Sequence, residues 1–306
     1  MVCSPYHTIP DNPNIMKHTF LTPFLSLAAL AIAIGSANGA AIIYEPFAQA
    51  AGDLNGKAGG TGLSGNWSTN NTAVDIVNPP TLNYGDLENT GGQVNLPNNA
   101  GIWAAVTTTT ALSTAGLLND GATLWFSYVF QKTTNGGSNE QSGFGFATER
   151  VNPAFNGLNM AVAGSGFGVF TNSSSVIASS WSSSTARTGG TGTAALQALG
   201  SATLVIGKIV WGANASLADT FTVYTQALNA IGTEPNSGGS TRSAILDQSG
   251  FDTISFGQRN SGGTQYYDEI RFGASYADVS PTAVIPEPSA ALLGSIGLLA
   301  LLRRRR

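Results

Sequence analysis

The chain has 306 residues, of which only 10% are charged and 42% are hydrophobic. Its 38 glycines, together with abundant Ser, Thr and Asn, suit short strands joined by many turns, and the apolar share is too high for a disordered polymer. Between Ala41 and Pro288 there are sixteen carboxylates and eight Lys or Arg, an acidic balance that excludes the basic stripe a nucleic-acid binder needs. Cys3, His7 and His18 are the only Cys and His residues, and all lie near the start of the chain. The rest of the sequence has no disulfide, no thiolate, no Ser-His-Asp triad and no ordinary zinc ligands.

In chain order, residues 1–15 contain three prolines and no apolar periodicity. They read as a gene-model artefact upstream of a true start at Met16. Residues 16–40 have the three-part form of a secretory signal peptide. Lys17 precedes an apolar run from Phe20 to Ile34, and the small residues Gly35, Ser36, Ala37, Gly39 and Ala40 follow. Cleavage is expected between Ala37 and Ala41, after passage through the Sec translocon and recognition by signal peptidase.

Residues 41–280 read as one all-β domain, a jelly-roll-like antiparallel β-sandwich. Leu124, Phe126, Tyr128 and Phe130 alternate along one strand after the turn Asn119-Asp120-Gly121. Phe144 with Phe146, Leu158 with Met160 and Val162, and Phe167 with Val169 give further faces. Leu204 to Trp211 is apolar on both faces except at Lys208, the pattern of a central strand. Phe221-Val223-Thr225 and Ile254-Phe256 continue the series, separated by turns such as Ser237-Gly238-Gly239.

Residues 281–288 form a linker ending in Pro286-Glu287-Pro288. Residues 289–302 carry no charge and would make a helix about 21 Å long. That is short of a hydrocarbon core of about 30 Å, so the segment spans only with local thinning or snorkelling of Arg303, Arg304, Arg305 and Arg306. These four arginines are expected to stay cytoplasmic and leave the domain outside.

Pro286-Glu287-Pro288, the short apolar segment and the terminal Arg303–Arg306 cluster together resemble the PEP-CTERM sorting signal of Gram-negative bacteria. The resemblance implies an exosortase-type membrane protease as partner, cleavage near the Pro-Glu-Pro and association with exopolysaccharide. It also implies a transient inner-membrane anchor, then the cell surface or extracellular matrix. The opening Ile43-Tyr44-Glu45-Pro46-Phe47 and the closing Tyr267-Asp268-Glu269-Ile270-Arg271-Phe272-Gly273 look like the ends of concanavalin A-like (laminin-G-like) jelly rolls. In such sandwiches the last strand lies near the first.

Three functions are compatible with these residues. The first is a non-enzymatic surface or matrix protein with no cofactor. The second is a lectin-like module in which an exposed indole, Trp181 above all, with Trp67 and Trp103 behind it, stacks on a sugar ring. The third is a glycan hydrolase or lyase using carboxylates alone. Regular alternation would put Asp268 on the face of Ile270 and Phe272, and Glu269 beside Arg271, so the two carboxylates would point apart and not act as a catalytic pair. Asp268 reads instead as a buried, turn-bonding carboxylate or a single calcium ligand.

Overall fold

The computed structural model describes residues 40–98, 101–134, 141–149, 164–171, 174–182, 187–259 and 263–282. In chain order the strands begin with β1 (Ile43–Glu45), β2 (Gly52–Asp53), β3 (Leu63–Thr69), β4 (Asp75–Val77), β5 (Gln93–Leu96) and β6 (Ile102–Thr108). A one-turn helix α1 (Ala111–Thr114) leads to β7 (Thr123–Lys132), β8 (Gln141–Ala147), β9 (Gly166–Thr171) and β10 (Ser175–Trp181). Two short strands, β11 (Thr188–Gly189) and β12 (Ala194–Ala195), precede β13 (Thr203–Val210), β14 (Asp219–Ala227) and β15 (Ser240–Ala244). The chain closes with β16 (Thr253–Arg259), β17 (Gln265–Gly273) and the helix α2 (Tyr276–Val279).

These strands make two antiparallel sheets. The nine-stranded sheet runs β15-β14-β13-β7-β17-β5-β4-β2, with β1 also paired to β17. The eight-stranded sheet runs β11-β10-β9-β8-β16-β6-β3, with β12 also paired to β10. The fold is therefore the all-β, jelly-roll-like sandwich that the alternating residues imply.

Aromatic residues from both sheets meet in the middle. Tyr128 of β7 stacks on Phe144 of β8 at 4.4 Å, and Phe256 of β16 stacks on Tyr267 of β17 at 4.6 Å. Leu124, Phe126, Tyr128 and Phe130 all face this core, as period-2 alternation requires. The turn before them holds too, with Gly121 at φ 75° and Ala122 N–H donating to Asn119 O. The alternation at Leu158, Met160 and Val162 lies outside the described residues.

β13 is buried on both faces because a second, smaller core covers the nine-stranded sheet from outside. Val205 and Ile209 face the inner core, whereas Leu204 and Ile206 join Trp125 and Val129 in the outer one. Leu82, Tyr84 and Leu87 from the connection after β4, and Tyr276 and Val279 of α2, cover that outer layer. Lys208 is the one polar break in β13; its ammonium lies 4.6 Å over the Trp125 ring and 3.1 Å from Glu234.

The first and last strands pair, Ile43 with Phe272 and Glu45 with Ile270, and Ile42 N–H donates to Phe272 O. After α2 the chain returns to a bridge between Thr282 and Leu87. Ala40 and Ala41, where the described chain enters, line one cleft with Pro281, where it leaves. The two ends of the domain thus emerge side by side.

Candidate functional site

β17 is irregular where its charges are concentrated. Asp268 pairs with Val129, but the next paired residue, Arg271, faces Ser127, so β17 carries an extra residue. Glu269 takes up the bulge at φ 52°, a left-handed conformation uncommon for a residue with a side chain. The bulge resets the alternation. Tyr267, Ile270 and Phe272 all point into the inner core. Asp268 instead meets Tyr84 of the outer core, and it does not share a face with Ile270 and Phe272 as regular alternation would have it. Glu269 does lie beside Arg271, as expected.

The result is a buried polar network. Tyr84 Oη donates to Asp268 Oδ2, and Glu269 N–H donates to Asp268 Oδ1 at 2.7 Å. Tyr44 Oη, 2.9 Å from Glu269 Oε2, donates to it, and Thr90 N–H donates to Oε1 at 3.3 Å. Arg271 completes the group: Nη2 pairs with Glu269 Oε2 and donates to Glu88 O at 2.8 Å, while the guanidinium sits 4.5 Å over the Tyr44 ring. Asp268, Glu269 and Arg271 are 1%, 0% and 3% exposed.

Burial, and then the charge of Glu269, push the Asp268 carboxyl well above its usual range. Burial also raises Glu269, opposed by Arg271 and by the bonds from Tyr44 and Thr90. The cation contacts Glu269 and not Asp268, so the upward push is the less opposed at Asp268. Tyr44 and Tyr84 are raised chiefly by burial and then by the neighbouring carboxylates, so both remain phenols and act as donors. The two carboxylates are therefore brought together, but behind protein, where no substrate reaches them.

A pH dependence follows. A carboxyl whose folded pKa is raised keeps its proton more tightly in the native state. Its contribution to stability is complete below about pH 4 and is lost as pH rises through the folded pKa. Asp268→Asn mimics the protonated acid: the amide donates to Tyr84, whose hydroxyl turns to accept, and its oxygen accepts from Glu269 N–H. This variant is expected to equal the wild type near pH 4 and exceed it at pH 8. The gain should be about 1.4 kcal/mol for each unit by which the folded pKa is raised. Urea denaturation at both pH values measures it; an Asn variant less stable than the wild type at pH 8 refutes the upward shift of Asp268.

Asp268 has both oxygens occupied by Tyr84 and Glu269 N–H. Among the described residues, no group of three or more His, Cys, Asp or Glu could hold a metal ion. The contacts of Asp268 match its turn-bonding reading.

The exposure expected of the tryptophans is corrected. Trp181 ends β10 at 2% exposure, Trp67 is 1% exposed and Trp103 is 7% exposed, so none presents a free indole face to a sugar. Trp181 lies in a strand because its neighbours on β9 are glycines: a Cβ on Gly166 would fall 2.8 Å from its ring, and one on Gly168 2.9 Å. The Trp67 indole donates at 2.9 Å to Glu45, a carboxylate at 0% exposure. Glu45 also accepts from Phe47 N–H and Gly60 N–H, each at 2.8 Å, and from Gln49 Nε2 at 3.2 Å. This carboxylate, which sequence reasoning did not single out, ties β1 to the glycine-rich loop before β3.

Pro286, Glu287, Pro288 and Arg303–Arg306 lie outside the described residues, as do the apolar stretches at both ends of the chain. Among the described residues no helix is long and apolar enough to cross a membrane.

No family model and no curated protein matches this chain. Solved structures do resemble it in fold. An endo-β-1,4-glucuronan lyase from the fungus Trichoderma reesei aligns with TM-score 0.46 and 11% identity, over 79% of this chain and 98% of the lyase. The alginate lyase of Aplysia kurodai aligns with TM-score 0.41 and 6% identity, over 66% and 87% of the two chains. The carbohydrate recognition domain of Emp46p gives 0.38 and 8%, over 68% and 88%.

Proposed function

We propose that the chain is an exported, non-enzymatic cell-surface or matrix protein, sorted through its Pro286-Glu287-Pro288 tail and associated with exopolysaccharide. The observation that carries this reading is the placement of the two ends of the domain. Ala40 and Ala41 lie against Pro281, with β1 paired to β17. A domain held briefly by an N-terminal signal segment and a C-terminal anchor in one membrane needs its entry and exit on one side. The closed Asp268–Glu269–Arg271 network supports the non-enzymatic part, since these carboxylates are spent on structure. The exosortase would act in the segment just after the fold, between Thr282 and the apolar tail.

The test is intact mass of the protein from culture medium and from washed cells. The expected species begins between Ala37 and Ala41 and ends near Pro288. A species in the membrane fraction that keeps Arg303–Arg306 would make the tail a plain anchor and overturn the sorting claim.

A further inference from the structure

A cleft unrelated to the buried network lies at the rim where β7, β13 and β14 end. It has a volume of about 380 Å³ and adjoins a second of about 220 Å³, the two sharing Gln197 and Ser201. Among the described residues Lys132 is the one charged side chain lining either, and it is only 4% exposed and already engaged within the protein. The larger cleft is lined by amides, hydroxyls and backbone, with Asn83, Gln131, Gln197, Ser201 and Asn229 around Leu228.

Its walls are fixed. Gln93, at 0% exposure, accepts from Thr81 N–H and Leu82 N–H at 2.8 and 3.0 Å, which holds the loop carrying Asn83. Asp86 N–H donates to Leu228 O at 2.8 Å, and Gly85 packs so close to Leu228 that a Cβ there would lie 2.6 Å from its carbonyl. Gln131 Nε2 donates to Gly200 O, and Gly200 N–H donates to Lys132 O at 2.9 Å, which sets the third wall. The amides of Gln197 and Asn229 and the hydroxyl of Ser201 are not among the groups that hold these walls. They remain on the lining as exposed hydrogen-bonding groups.

The geometry points to this cleft as a binding site for an uncharged, polyhydroxylated chain, a neutral polysaccharide. Side-chain amides carry a donor and an acceptor on one plane and so match vicinal hydroxyls, which also donate and accept. A cationic or anionic ligand would need a counter-charge that the described residues of the lining do not offer. The half-exposed Leu199 of the adjoining cleft gives apolar surface for the C–H face of a sugar ring. The inference rests on the polysaccharide half of the reading above and not on the sorting half. It names both the location and the charge class of the polymer.

The experiment is titration calorimetry of the full chain in a zwitterionic detergent without a sugar headgroup. The probes are cellohexaose, maltohexaose and mannohexaose, with hexagalacturonate as the charged comparison. Saturable binding is expected for at least one neutral hexamer, at least tenfold tighter than for hexagalacturonate at the same salt. The double variant Gln197→Ala, Asn229→Ala should weaken it at least tenfold, as loss of two hydrogen-bonding side chains implies, with an unchanged thermal midpoint. No binding of any neutral hexamer, preference for hexagalacturonate, or binding indifferent to the double variant each overturns the proposal. The intact-mass result is independent of all three, so a failure of sorting and a failure of this site are told apart.

Discussion

Glu45→Ala is expected to destabilise the domain by about 5 kcal/mol, from the cost of about 1–3 kcal/mol for each buried donor left unpaired. Three donors lose their acceptor at once: Phe47 N–H, Gly60 N–H and the Trp67 indole, while the Gln49 amide keeps its bond to Ala58 O. The site cannot refill with water easily, because Glu45 is fully buried and Gly60 lies so close to β1 that a Cβ on it would sit 2.3 Å from Tyr44 O. Set against a total stability of about 5–15 kcal/mol, such a loss leaves the sandwich close to unfolding at ambient temperature. Glu45→Gln keeps the shape but turns an amide N–H toward neighbouring donors, so it should fall between wild type and Ala. Chemical denaturation of the three proteins gives the ordering; a Glu45→Ala loss under 1 kcal/mol would show that the carboxylate is not the anchor its contacts describe.

Arg271→Ala comes second, with an expected loss of about 3–5 kcal/mol, the range for removing one partner of a buried ion pair. The guanidinium is the only cation in contact with Glu269 among the described residues, and it also covers the Tyr44 ring and ties down Glu88 O. Without it, Glu269 remains buried with hydrogen bonds but no counter-charge. The electrostatic share separates from the packing share through Arg271→Met with Glu269→Gln. The double variant should be more stable than Arg271→Met alone, because the second change removes the uncompensated charge. Additive losses would instead assign the effect of Arg271 to packing against Tyr44.

The strand pattern was legible because alternation is a local property. Leu124 to Phe130, Phe144 with Phe146, and Phe221 with Val223 face the core as their spacing implies. The site was not legible, because it depends on one backbone torsion. Nothing in Tyr267-Asp268-Glu269-Ile270-Arg271 announces a glutamate at positive φ, yet that residue moves Asp268 to the outer face. Trp181 was misleading for a related reason. A run of serines resembles a loop, but Ser179 and Ser180 are buried in β10, where Arg187 and Arg242 donate to their hydroxyls at 2.7 Å. The space for the indole comes from Gly166 and Gly168 on another strand, which no window around Trp181 contains. Tyr44 and Tyr84 join the network from distant parts of the chain, and only the folded topology brings them to β17.

The pairing of β1 with β17 has a consequence for how the molecule is made. Apart from a single bridge between Tyr44 and Thr61, β1 finds its partner in β17, the last of the described strands, and β7 and β5 also use β17 as a neighbour. Until residue 273 has emerged, the middle of the larger sheet is missing and its neighbours expose unpaired edges, which invite aggregation. Closure over so long a loop is also slow. Completion of the domain therefore reports that every strand from β1 to β17 has arrived in the same compartment. A chain cut short by a ribosome stall or by premature proteolysis has no closing strand, and remains an open target for degradation.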